Sequence, residues 1–186
     1  MSTMIDPLYR NSFLGVCLAL ALGCTQAQGA VIVWPSGWQV EDLSDGQAPA
    51  QAQRQAQSRQ RAAKIDDAGN PVMVMELTQS DLAPGHEVNV EGVLLEMRKA
   101  VQVNFARTGF QSVCTRIRQT TLDTVPALET TCTITQNGVH VMTQTLVAAA
   151  NKEAAWSLSY AGSTDGYAAN KEEALQIRNT LKLTNP

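Results

Sequence analysis

The sequence is short of the residues that most often carry chemistry. Only two histidines and four cysteines stand among its 186 residues. No two cysteines lie at C-x-x-C spacing and the histidines are not at H-x-x-x-H spacing. A local zinc clip and a dithiol redox motif are therefore excluded. There is no G-x-G-x-x-G, no Walker loop and no G-x-S-x-G elbow, so the glycines are read as turns and caps. Basic residues do not exceed acidic ones: 14 against 17 give a net charge of −3. Such a balance favours neither nucleic acid nor an anionic lipid surface as a partner. Nothing in the composition implies a metal or another cofactor.

Long hydrophobic runs are also scarce, and the one prominent run is at the start. Phe13–Leu22 is apolar, follows Arg10 and gives way to small and polar residues. It falls short of the roughly 20 residues that span a bilayer and has the length of a signal-peptide core. Cleavage after Ala27 places Thr25 and Ala27 where signal peptidase takes small side chains, and cleavage after Gly29 is the alternative. The expectation is a removed leader over residues 1–27 and a single domain over 31–184. Of the 186 residues, 159 then remain, enough for one core, and the net charge is unchanged because the leader holds one Asp and one Arg. "ALGC" at 21–24 offers lipidation of Cys24 as a further possibility, although Ala21 and Leu22 are swapped relative to the usual lipoprotein order.

Cleavage after Ala27 leaves two cysteines, Cys114 and Cys132. In an oxidising compartment a disulfide is their default state. The flanking runs Phe110–Arg118 and Ala127–Gln136 read as strands about a turn near Asp123. If they pair antiparallel about that residue, Cys114 faces Cys132. Cross-strand Cβ atoms lie about 4.5–5.5 Å apart, within reach of a disulfide with slight adjustment. Such a bridge is expected to contribute about 3 kcal/mol.

The rest of the chain alternates between strands and two helices. "VIVWPSGWQVEDL" gives apolar, β-branched Val31–Trp34, a turn, and a strand resuming at Trp38. Asp45–Ala63, rich in Gln, Ala and Arg, reads as a polar surface loop or a frayed helix, with Arg54, Arg59 and Arg61 as a potential contact patch. Arg61–Leu77 reads as a hairpin with its turn at Asp67–Pro71; Val72–Leu77 is mostly apolar on both faces and is predicted to be covered on both sides. Val90, Leu94, Met97, Val101 and Phe105 form one helical face between Asn89 as N-cap and Gly109 as stop. Asn137-Gly138 is a type I′ hairpin signal. Trp156, Leu158 and Tyr160 alternate along a strand, and a last amphipathic helix opens at Thr164 or Asp165, with Glu172-Glu173 near its start favouring the macrodipole.

Candidate sites are few. "WPSGW", with Trp34 and Trp38, is either a small binding surface or a corner packed on the core. His86, at the opening of the first helix, and His140, on a strand, read as polar surface positions, with a hydrolase built on one of them as the alternative.

The order of strand, hairpin, long helix, strand meander and closing helix resembles the PsbP-like superfamily. "WPSGWQV" is similar to its P-x-G-W first strand, and "IRNTLKL" to its closing helix running into a short final strand. "AGNPVMVMEL", "EGVLLEMRKAVQ", "ALETTCTITQNG" and "SLSYAG" are similar to a family of secreted Gram-negative proteins known only as a domain of unknown function. The resemblance implies an α+β fold: an antiparallel sheet of about six to seven strands flanked by a long central helix and a C-terminal helix. It brings no catalytic residues with it. It favours a non-catalytic binding or accessory protein of the periplasm or cell envelope, working with another envelope or secreted protein. A secreted inhibitor or immunity factor and a hydrolase are the competing expectations.

Overall fold

The computed structural model describes residues 30–44 and 58–183. The expected leader 1–27, Cys24 and Arg54 lie outside the described residues. Among the described residues, eight strands and two helices follow in order: β1 Trp38–Asp42, β2 Ser58–Ile65, β3 Pro71–Asp81, α1 Val90–Ala106, β4 Gln111–Cys114, β5 Arg118–Leu122, β6 Val125–Gln136, β7 Val139–Ala150, β8 Ala154–Ser163 and α2 Thr164–Thr180. They form one antiparallel sheet ordered β1-β2-β3-β8-β7-β6-β4, with β5 also paired to β6. The fold is α+β with a sheet and two helices, as expected. The extra strand arises because the run predicted as Phe110–Arg118 is broken.

That break has a register cause. Cys114 faces Cys132 and Gln111 faces Thr135, so the numbers of paired residues sum to 246 along β4. Along β5 they sum to 247: Arg118 faces Glu129 and Leu122 faces Val125. The turn is the pair Asp123-Thr124, with Asp123 at φ 52°, rather than a turn centred on Asp123. Residues 115–117 absorb the one-residue offset as an irregular segment between the strands. At the next hairpin Asn137 and Gly138 take φ 51° and 79°, the positive values a two-residue type I′ turn needs.

Two apolar clusters lie on opposite faces of the sheet. Met73, Met75, Leu77, Trp156, Leu158 and Tyr160 point to one face and pack with Ala174, Ile177 and Leu181 of the α2 segment. Cys132, Ile134, Leu146 and Ala148 point to the other and meet Leu94, with Met97, Val101 and Phe105 beside it. Leu94 is fully buried at the centre of the predicted stripe of α1, and Asn89 caps the helix by accepting from the Gly92 N–H. In α2 the cap is Ser163, one residue before the expected start; its Oγ accepts from the Gly166 N–H at 3.1 Å.

Three further expectations are corrected. The polar stretch 45–63 is not a loop throughout: from Ser58 it is strand β2, held by ladders to β1 and β3, with Ala62 fully buried. Tertiary pairing overrides its poor strand propensity. Strand β3 is interior but not covered on both sides. Met73, Met75, Leu77 and Gln79 are buried, whereas Val72, Val74, Glu76 and Thr78 are half-buried, because α1 packs over β4, β6 and β7 instead. Glu173 lies in the middle of α2, where it accepts from Trp38 Nε1 at 3.1 Å and pairs with Lys64, so its role is an anchor for β1 and β2 rather than a dipole contact. The closing segment behaves as expected, with Lys182 bridging Val31 beyond the end of α2.

Candidate functional site

Alternation on four strands and one helical stripe bring a polar group to the α2 face of the sheet. On β6, Glu129 and Thr131 share a face; across from them stand Arg118 on β5 and Thr145 on β7, and Tyr160 faces Thr145 from β8. On α2, Tyr167, Lys171, Leu175 and Arg178 succeed one another at steps of four, four and three, which places them on one stripe. Together they line an open cleft of about 550 Å³.

Glu129 is its electrostatic centre. Its side chain is buried and held by two guanidiniums. Arg178 Nη1 donates to Oε2 at 2.6 Å, and Arg118 donates to Oε1 through Nε at 3.2 Å and through Nη2. Arg178 Nη2 also donates to Thr120 Oγ1 and to the Thr121 carbonyl, each at 2.8 Å. Burial alone would raise the Glu129 pKa, but the bonds and charges of the two arginines outweigh it and hold the carboxyl below its ordinary value. Beneath this group, Tyr160 and Tyr167 stack with ring centres 6.0 Å apart. The Tyr167 hydroxyl and Thr145 Oγ1 are 2.6 Å apart, and Thr145 is bonded in turn to Thr131 at 2.9 Å. Burial pushes Tyr167 up to about 12 and raises Tyr160 too, the Glu129 charge adding to the latter.

The residues singled out from sequence lie elsewhere. Trp38 is buried, its indole spent on Glu173, and Trp34 stands half-buried with its ring centre 6.1 Å away. The two tryptophans of the "WPSGW" corner thus pack on the core, while Pro35, Ser36 and Gly37 between them are exposed. Arg59 and Arg61 share the opposite face of β2 from Lys64; Arg59 pairs with Glu76 at 2.8 Å, while Arg61 is exposed. The structure does not bring the tryptophans and the arginines together. His86 lies in the turn before α1 rather than in it, and His140 is the second residue of β7, with Nε2 near Thr143 Oγ1 at 2.9 Å. The strand register sets them at opposite ends of the sheet. Cys114 and Cys132 form the expected disulfide. Among the described residues, no three His, Cys, Asp or Glu side chains come together as a metal site. No helix there is long and apolar enough to cross a membrane.

Sequence reasoning missed the cleft. One signal was available: Glu129 stands on the inward face of a strand between Ala127 and Thr131, where a charge demands a partner. Nothing local names that partner, since Arg178 is 49 residues away.

Comparison with known proteins agrees with the fold. Cyanobacterial PsbP (CyanoP) from Synechocystis superposes with a TM-score of 0.61 at 11% identity, covering 92% of this chain and 99% of its own. LpqN of Mycobacterium tuberculosis, described as involved in cell envelope biogenesis, superposes at 0.54 with 14% identity, covering 84% of this chain and 83% of its own. At such identities the likeness is one of fold: this is a PsbP-like sheet and helix arrangement. No curated protein matches the sequence. The profile of a domain of unknown function, DUF4946, matches residues 28–183, and the chain belongs to that family.

Proposed function

We propose that the protein is an exported, non-catalytic binding or accessory protein of the periplasm or cell envelope, and that its binding partner enters the cleft between α2 and strands β5 and β6. The cleft carries this reading. Its acid is held ionised by two arginines, and burial drives its phenols upward, away from neutral pH. General acid–base work needs groups that exchange protons near the working pH, whereas fixed charges and fixed hydroxyls suit recognition. Export is supported by the leader-like N-terminus and by a disulfide that suits an oxidising compartment. The envelope role described for LpqN points the same way.

The test is site-specific photocrosslinking of the full chain in bacterial cells. A photoreactive residue replaces Asn179, which is exposed and lines the cleft, or Arg61, exposed on the far face. The expected result is an adduct from position 179 in the envelope fraction and none from position 61. Equal labelling from both positions, or recovery of the chain in the cytoplasm alone, overturns the reading.

A further inference from the structure

We infer that the cleft is an oxyanion site: it takes a phosphate or carboxylate group of a small molecule between the guanidinium of Arg118 and the ammonium of Lys171. The inference rests on the cleft being the binding site and adds the class of ligand.

The charge pattern is the first argument. The chain as a whole carries −3, yet the cleft is lined by Arg118, Lys171 and Arg178 against the single acid Glu129. A basic concavity on an acidic protein concentrates anions locally and excludes cations. The second argument is which donors remain. Arg178 is consumed within the protein, by Glu129, Thr120 and Thr121. Arg118 is not. Its side chain is 70% exposed; Nε and Nη2 hold Glu129, while Nη1 has no partner among the described residues. Glu129 thereby fixes the guanidinium plane, so ordering it costs a ligand little entropy. Lys171 is exposed on the cleft-facing stripe of α2 and has no ion-pair partner among the described residues. The hydroxyls of Thr120, Thr131 and Thr145 line the same space and can bond further oxygens. Charge-assisted bonds of this kind are shorter and about twice as strong as neutral ones.

Size supplies the third argument. A bare ion fills only a small part of about 550 Å³. That volume lies within the roughly 300–1,000 Å³ of small-molecule pockets. The anion is therefore one group of a larger molecule, whose remainder meets Leu175 and the hydroxyls.

The experiment is an amide NMR titration of the full chain at pH 7.5 and constant ionic strength. Inorganic phosphate and acetate are added separately in exchange for chloride. Saturable shifts at Thr120, Thr131 and Lys171 with either anion are expected; phosphate alone assigns a phosphorylated ligand and acetate alone a carboxylated one. Lys171→Gln removes a group that holds nothing in the protein, so the fold is kept, and it is expected to weaken binding about tenfold. Arg118→Gln is expected to do the same. No saturable shift with either anion, or equal affinity in K171Q, overturns the inference. If the anions fail while position 179 still gives its adduct, the cleft remains a binding site and only the oxyanion is lost.

Discussion

Glu129 on β6 and Arg178 on the last turn of α2 meet at 2.6 Å, both nearly sealed from solvent, and join the sheet to the helix that covers it. Arg118 reaches the same carboxylate from the solvent side, its own side chain mostly exposed. The two arginines therefore differ in what they stabilise. Glu129→Gln leaves the buried Arg178 without its counter-charge and is expected to cost about 3–5 kcal/mol. Arg118→Gln removes a solvent-screened pair and is expected to cost within about 1 kcal/mol. Urea unfolding of both variants checks this; equal losses would mean that the pair with Arg178 is not the structural one.

The same carboxylate gives an acid limit. Its folded pKa lies below the ordinary 4.5, so the unfolded chain binds the proton more readily. Stability from this group is full above pH 4.5 and is lost as pH falls through the lower, folded value. Urea midpoints are expected to drop below about pH 4.5 and to drop less steeply in E129Q. Asp42, Asp66 and Glu173 are also shifted down and keep a residual slope.

The alkaline side is set by the tyrosines. Tyr167 is raised from 10 to about 12, and Tyr160 is raised as well. A raised phenol contributes stability below pH 10 that disappears as pH climbs toward the folded value. With Tyr9, outside the described residues, changed to Phe, phenolate absorbance of the native chain is expected to stay low at pH 10. In denaturant both tyrosines are expected to be half-ionised there.

Much of this fold could be read from local pattern. The stripe Val90–Phe105, the Asn137-Gly138 turn and the alternation of Trp156, Leu158 and Tyr160 each rest on neighbours within a few residues, and each appears as predicted. Strand β2 was legible only in part: Arg61–Ile65 forms the expected first arm of the hairpin with β3, whereas Ser58–Gln60 is made a strand by partners on both sides rather than by its own residues. The cleft was not legible for a similar reason. Tyr167, Lys171 and Arg178 looked like ordinary helix positions until the packing of α2 across β3, β8 and β7 set them around Glu129.

That crossing depends on Gly166. A Cβ there would lie 2.2 Å from the carbonyl oxygen of Val72, an approach only glycine permits. Replacing Gly by Ala in an exposed helix normally stabilises by about 1 kcal/mol. Here the sign is expected to reverse, with G166A losing about 1–3 kcal/mol as α2 is pushed off β3. Thermal unfolding measures it. A gain in stability would show that α2 can shift without loss.

The disulfide protects a different edge. Strand β4 is four residues long, pairs among the described residues only with β6, and is followed by the irregular segment 115–117. So short an edge has few ladder bonds of its own, and Cys114–Cys132 ties its last residue to the buried face of β6. Closing this loop, 18 residues in sequence separation, is worth about 3 kcal/mol in the chain-entropy model. Changing both cysteines to serine is expected to lower global stability by about that amount. It should also speed amide exchange at Val113 and at Thr115, whose N–H donates to the Thr131 carbonyl at 2.8 Å, selectively, while Leu146 and Leu158 in the sheet centre lose protection only with the global change. Uniform loss at all four sites would mean that β4 opens only when the whole sheet does, and that the bridge acts on the unfolded chain alone.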